Sequence, residues 1–171
     1  MSNITTSQTI GPFSHEAWQW AADASATLET SAPTVTISGV IYDGDGVLIN
    51  DAQIEAWLPD AAEAEAAQAI PGFRRVPSDE NGRFSLRVSL AKPPVDGEPV
   101  MYVTVFARGL VKHQFTAVFL EDDIGLAQSA ILNQVPQARR ATLLARKIDA
   151  GTYSWDIWMQ TDKETVFFDY V

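Results

Sequence analysis

The chain has 171 residues, 46% hydrophobic and 20% charged, which suits one globular domain with a sizeable core and excludes global disorder. A net charge of -10 and a pI near 4.5 withhold the cationic footprint that nucleic acid or an anionic membrane requires of a partner. The absence of cysteine removes disulfides, thiolate nucleophiles and cysteine-ligated zinc or iron-sulfur centres together.

Met1 to Thr6 carry neither a basic nor an apolar stretch, so no secretory signal is expected. No apolar run approaches the roughly 18 residues of a membrane span, and a cytoplasmic location is the expectation. Residues 5 to 13 are polar and close on Gly11-Pro12, a pair that disfavours helix and predicts an extended arm with a turn. Phe13, Trp18 and Trp20 lie nearby, so the arm is expected to dock on its own sheet or on a neighbouring subunit. Asp23 to Pro33 is small and polar and reads as a loop. This divides the chain into an arm and loop at 1–33 and a single β domain at 34–171.

Val35, Ile37 and Ile41 alternate with polar residues in a first strand, closed by the turn Asp43-Gly44-Asp45-Gly46. That turn lacks the third acidic position and the glutamate of a calcium loop, and a hairpin is expected instead. Asp51 to Trp57 alternates as a second strand. Asp60 to Ala69 is rich in alanine and glutamate without an apolar stripe, which predicts a short solvated helical turn or a loop. Asn81-Gly82 leads into Phe84, Leu86, Val88 and Leu90, the cleanest alternation in the chain.

After the rigid loop Lys92 to Pro99, Met101, Val103, Val105 and Ala107 form one face of a strand, and Val100, Tyr102, Thr104, Phe106 and Arg108 the other. Arg108 stands at the strand end beside Gly109. Its guanidinium is either half of a structural ion pair or a fork for a ligand carboxylate. Phe115 to Leu120 is a further strand, and Leu126 to Leu132 reads as the one modest helix, ended before Pro136. Thr142 to Ile148, Tyr153 to Gln160 and Glu164 to Tyr170 are read as three final strands. The sum is a mainly β fold: a β-sandwich of about eight strands with one short helix and an extended N-terminal arm.

Spacing alone supports no reaction. His15 and His113 have no ligand partner at a useful offset, and Asp122 and Asp123 read as a solvated loop. Arg74-Arg75 and Arg139-Arg140 pair either with internal carboxylates or with an acidic partner surface.

Thr6-Ser7-Gln8-Thr9-Ile10-Gly11-Pro12-Phe13, Gly39-Val40-Ile41-Tyr42-Asp43-Gly44-Asp45-Gly46, Asp51-Ala52-Gln53-Ile54-Glu55-Ala56-Trp57, Phe106-Ala107-Arg108-Gly109-Leu110 and Glu164-Thr165-Val166-Phe167-Phe168-Asp169 stand in that order along the chain. Together they resemble the alpha chains of protocatechuate 3,4-dioxygenases, intradiol ring-cleaving enzymes. The resemblance implies an alpha-beta oligomer in which a beta chain holds ferric iron, Fe(III), with two tyrosines and two histidines. That beta chain would cleave protocatechuate with O2 to 3-carboxy-cis,cis-muconate. The resemblance further implies that the alpha chain carries no catalytic residue and no metal. Thr9, Gly11 and Pro12 on the arm, with Arg108, would line the mouth of the partner's site and bind the aromatic acid.

The sister's histidine-x-histidine positions fall on Val100 and Tyr102, and no tyrosine occurs between Tyr42 and Tyr102, so no iron is expected here. The chain departs from the family pattern at Phe13, where tyrosine is commoner, in the short stretch from Asp60 to Ile70, and at Ala117, which takes the place of an arginine expected near the interface. An alternative is a homo-oligomeric structural or small-anion-binding β-sandwich that has lost the dioxygenase partnership.

Overall fold

The computed structural model describes residues 19–26, 33–59, 65–90 and 96–169. Within them run one α-helix, α1 (Gln19–Ala26), and nine strands: β1 (Thr34–Tyr42), β2 (Gln53–Trp57), β3 (Phe73–Pro77), β4 (Arg83–Ser89), β5 (Met101–Phe106), β6 (Gln114–Leu120), β7 (Leu144–Asp149), β8 (Thr152–Ser154) and β9 (Ile157–Trp158). Strands β3, β2, β5 and β6 pair in that order, as do β7, β8, β1 and β4. A two-residue parallel pairing of β6 with β7, at Phe119↔Leu144 and Leu120↔Ala145, joins the two sets. β9 adds to β1 in parallel. The architecture is the expected mainly β sandwich.

Period-two patterning places the core. Ile37 and Ile41 of β1, Leu86 and Val88 of β4, Ile54 of β2 and Met101, Val103 and Val105 of β5 are all fully buried in one cluster between the sheets. Each such side chain contributes about 1.5–3 kcal/mol relative to an exposed position. On the outer face of β6 a second cluster gathers Ala117, Phe119, Leu132, Val135 and Leu143. Ala117 is fully buried there.

The two ends of the strand order, β3 and β4, are sealed by one ion pair. Arg74 of β3 donates to Glu65 through both terminal nitrogens, at 3.1 and 2.5 Å, and through Nε to the Arg87 carbonyl of β4 at 2.7 Å. Glu65 also accepts from the Ser89 and Gly72 amides at 3.1 and 2.8 Å. Exposed strand edges invite pairing with other chains, and here side chains occupy the Arg87 carbonyl and the Ser89 amide of β4. On the outer side of β3, Ser25 of α1 accepts the Arg75 amide at 2.9 Å, while Arg75 pairs with Glu55.

Several expectations are corrected. Residues 19–26, read partly as loop, form α1, held by buried Ala21 and by Ser25. β3 was not anticipated, because Phe73-Arg74-Arg75 carries charge that the fold neutralises internally. The modest helix is replaced by 3-10 turns at Leu126–Gln128, Leu132–Gln134 and Gln137–Leu143. Residues 164–169 make no ladder: Thr165 N to Trp158 O and Phe168 N to Phe115 O are isolated hydrogen bonds of 2.9 and 2.8 Å. Glu65, expected to be solvated, is buried by Arg74, and Asp123 is buried where it accepts the Gly97 and Gly125 amides. The 43–46 turn is the expected hairpin, with Asp43 Oδ1 accepting the amides of Asp45 and Val47. Among the described residues no helix is long and apolar enough to cross a membrane.

Candidate functional site

β5 ends at Phe106 because the chain then turns: Leu110 N bonds the Ala107 carbonyl at 3.2 Å, and Gly109 takes φ +90, a conformation that favours glycine. Ala107 remains buried, which swings Arg108 outward. The β2–β5 register pairs Gln53 with Phe106, and two residues further along it Asp51 stands opposite Arg108. There Arg108 Nε lies 2.9 Å from Asp51 Oδ2, with 69% of the arginine side chain exposed against 24% of the aspartate. Sequence reading left the partner of Arg108 open between a protein carboxylate and a ligand; the structure supplies the first and leaves most of the arginine side chain exposed.

Buried polar atoms ordinarily find partners. Among the described residues, the buried side-chain atoms lacking any hydrogen bond are Asp51 Oδ2, Gln53 Nε2 and Arg139 Nε. The first two belong to residues at the start of β2, beside Arg108. The Arg108 Nε contact is therefore an ion pair without an aligned hydrogen bond. Asp51 and Gln53 were missed as site residues, because their link to Arg108 runs across strands.

Around this turn, His113 is exposed and lies tilted on the Phe106 ring with centroids 5.5 Å apart. Lys112 donates to Asp169 at 2.8 Å, and that hydrogen bond and charge hold the Asp169 carboxyl below its ordinary range. Thr9, Gly11 and Pro12 lie outside the described residues, as do Phe13 and His15.

The two positions that the resemblance aligns with a catalytic sister's histidines hold no histidine here. Val100 offers no lone pair and is buried in the main core. Tyr102 stacks on Phe115, with centroids 5.8 Å apart and planes 19° from parallel, between Trp57 and Ala117 in the strand register. Among the described residues no three His, Cys, Asp or Glu side chains cluster as a metal site.

The other clustered ionisable groups have structural partners. Asp122 accepts from Tyr153 Oη at 3.0 Å and from Lys147 at 2.7 Å. Burial works to raise the Asp122 carboxyl, but hydrogen bonds from Lys147 and Tyr153 outweigh it and hold the group below its ordinary value. Arg139 bonds the Glu164 carbonyl at 2.7 Å and Arg140 the Val135 carbonyl at 2.9 Å.

No family model matches the chain. It is 33% identical to the protocatechuate 3,4-dioxygenase alpha chain of Burkholderia cepacia, over 96% of both chains. It is 31% identical to the protocatechuate 3,4-dioxygenase alpha chain of Pseudomonas putida, covering 97% of this chain and 96% of that one. In fold it is similar to the dioxygenase domain of a dioxygenase carbohydrate-binding protein fusion from Streptomyces sp. SirexAA-E. There the TM-score is 0.58 at 17% identity, with 82% of this chain and 85% of that chain covered. With 31% and 33% identity to two alpha chains running nearly end to end, on a sandwich similar to a dioxygenase domain, the chain belongs to the protocatechuate 3,4-dioxygenase alpha-chain family.

Proposed function

We propose that the chain is a non-iron-binding alpha subunit of a protocatechuate 3,4-dioxygenase, active only in complex with a beta subunit that carries two tyrosine and two histidine ligands. The observation that carries the reading is the identity to alpha chains over nearly the full length, in a chain whose Val100 side chain has no donor atom where the resemblance implies a histidine ligand. The ring-cleaving chemistry would be supplied by the ferric ion on the beta subunit.

This chain's share is recognition. Protocatechuate is an anion at neutral pH, and a guanidinium at the mouth of a site both attracts its carboxylate and fixes the ring's orientation. Arg108 meets that requirement, since its exposed side chain stands on a turn at the end of a rigid strand. Thr9, Gly11 and Pro12 would line the same mouth with it. The sandwich at 34–171 is the body that carries both into a larger alpha-beta assembly.

The test is reconstitution. Purified alone, the chain should contain no iron and consume no oxygen with protocatechuate; purified with a beta chain bearing the four ligands, it should form a complex that does both. Iron and oxygen uptake by this chain alone, or failure to assemble with any such beta chain, overturns the reading.

A further inference from the structure

Arg108 is engaged from the side. Asp51 Oδ2 lies 2.9 Å from Nε, the nitrogen next to the aliphatic stem. The two terminal nitrogens form the fork that receives a carboxylate through parallel hydrogen bonds. A contact at Nε thus restrains the long side chain while leaving the fork toward solvent, in keeping with the 69% exposure of Arg108. Asp51 Oδ2 is buried and has no hydrogen bond, and among the described residues Asp51 forms its ion pair with Arg108.

We propose that Asp51 is a positioning residue, whose carboxylate holds the Nε edge of Arg108 so that the terminal fork is already aimed at the carboxylate of an aromatic acid in the neighbouring subunit's site. The proposal rests on the reading of Arg108 given above. An untethered arginine would lose rotamer freedom when substrate arrives; the tether takes that loss beforehand. Asp51 also offsets part of the positive charge. The pair therefore selects by geometry, favouring a planar carboxylate placed at the fork over a diffuse anion.

The experiment uses the complex with the beta subunit and compares protocatechuate with unsubstituted catechol. Asp51→Asn should raise KM for protocatechuate between about two- and five-fold, the range open to an exposed ion pair. The kcat and the KM for catechol should stay unchanged, and Asp51→Glu should retain part of the effect of the native carboxylate. In an Arg108→Ala background Asp51→Asn should add nothing, because the group it positions is gone. NMR of arginine Nε–H groups supplies a readout that a merely structural role would not move: Asp51→Asn should make the Arg108 Nε–H more mobile. If Arg108→Ala leaves the KM for protocatechuate untouched, the reading of Arg108 falls and this proposal with it. If Arg108→Ala acts while Asp51→Asn is silent, alters both substrates alike, or adds in full to Arg108→Ala, the positioning role alone falls.

Discussion

Two arginine-carboxylate pairs stand at opposite extremes of the same sheet. Arg74 and Glu65 are closed off, their side chains 3% and 1% exposed, with both terminal nitrogens of the guanidinium on Glu65 and two backbone amides on the carboxylate. Arg108 and Asp51 share one contact, and most of the arginine side chain is exposed. The same chemistry therefore does two jobs. A buried pair with every hydrogen bond made is a structural joint, because neither ion can be released into a low-dielectric interior without heavy cost. An exposed pair with capacity to spare adds little stability and keeps a donor surface for a ligand.

The largest way to break this contrast is to remove one member of the closed pair. Arg74→Ala or Glu65→Ala should each lose about 3–5 kcal/mol in urea unfolding, because a buried charge is left alone. Replacing both together by Met and Leu should cost less than either single change, since no charge remains to be stranded. Equal losses in all three variants would show that the joint acts through packing.

Arg108→Ala should do the reverse. Its stability should stay within about 1 kcal/mol of the parent. In the beta complex, kcat/KM for protocatechuate should fall by about 1–3 kcal/mol of transition-state binding, with little change for plain catechol. Equal losses on the two substrates would return Arg108 to the class of Arg74.

Tyr153 provides an intermediate case with a pH signature. Burial, then the hydrogen bond and charge of Asp122 and the charge of Glu121, push its hydroxyl from 10.0 up to about 12. The folded value is the higher one, so the stabilisation is whole below pH 10 and is lost as pH rises through about 12. Tyr153→Phe should cost about 1 kcal/mol near neutral pH and should flatten the loss of stability above pH 10. A variant that follows the parent curve through that window would show the hydroxyl to be uncoupled.

The strands whose apolar residues face one core were legible in the sequence, as Met101, Val103 and Val105 or Leu86 and Val88 illustrate, because burial on one side imposes a period of two. β3 was not, because Arg74 and Arg75 look like surface until Glu65 and Glu55 are seen beside them. The end of the chain misled in the opposite sense: Val166 and Phe168 alternate as a strand does, yet they cover the second cluster with only scattered backbone bonds. At the site, Arg108 was visible as a charge closing an apolar run. Asp51 and Gln53 were invisible as its neighbours, since more than 50 residues of chain separate them from it and only the β2–β5 register brings them together.

The sealed margins of the sandwich limit how it can multiply. With Arg74, Glu65 and Ser25 occupying backbone groups that a foreign strand would need, growth by strand addition has no template at β3 or along the covered part of β4. Faces and turns remain, where side chains set the shape and charge a partner would meet. An edge so finished resists running on into a fibre.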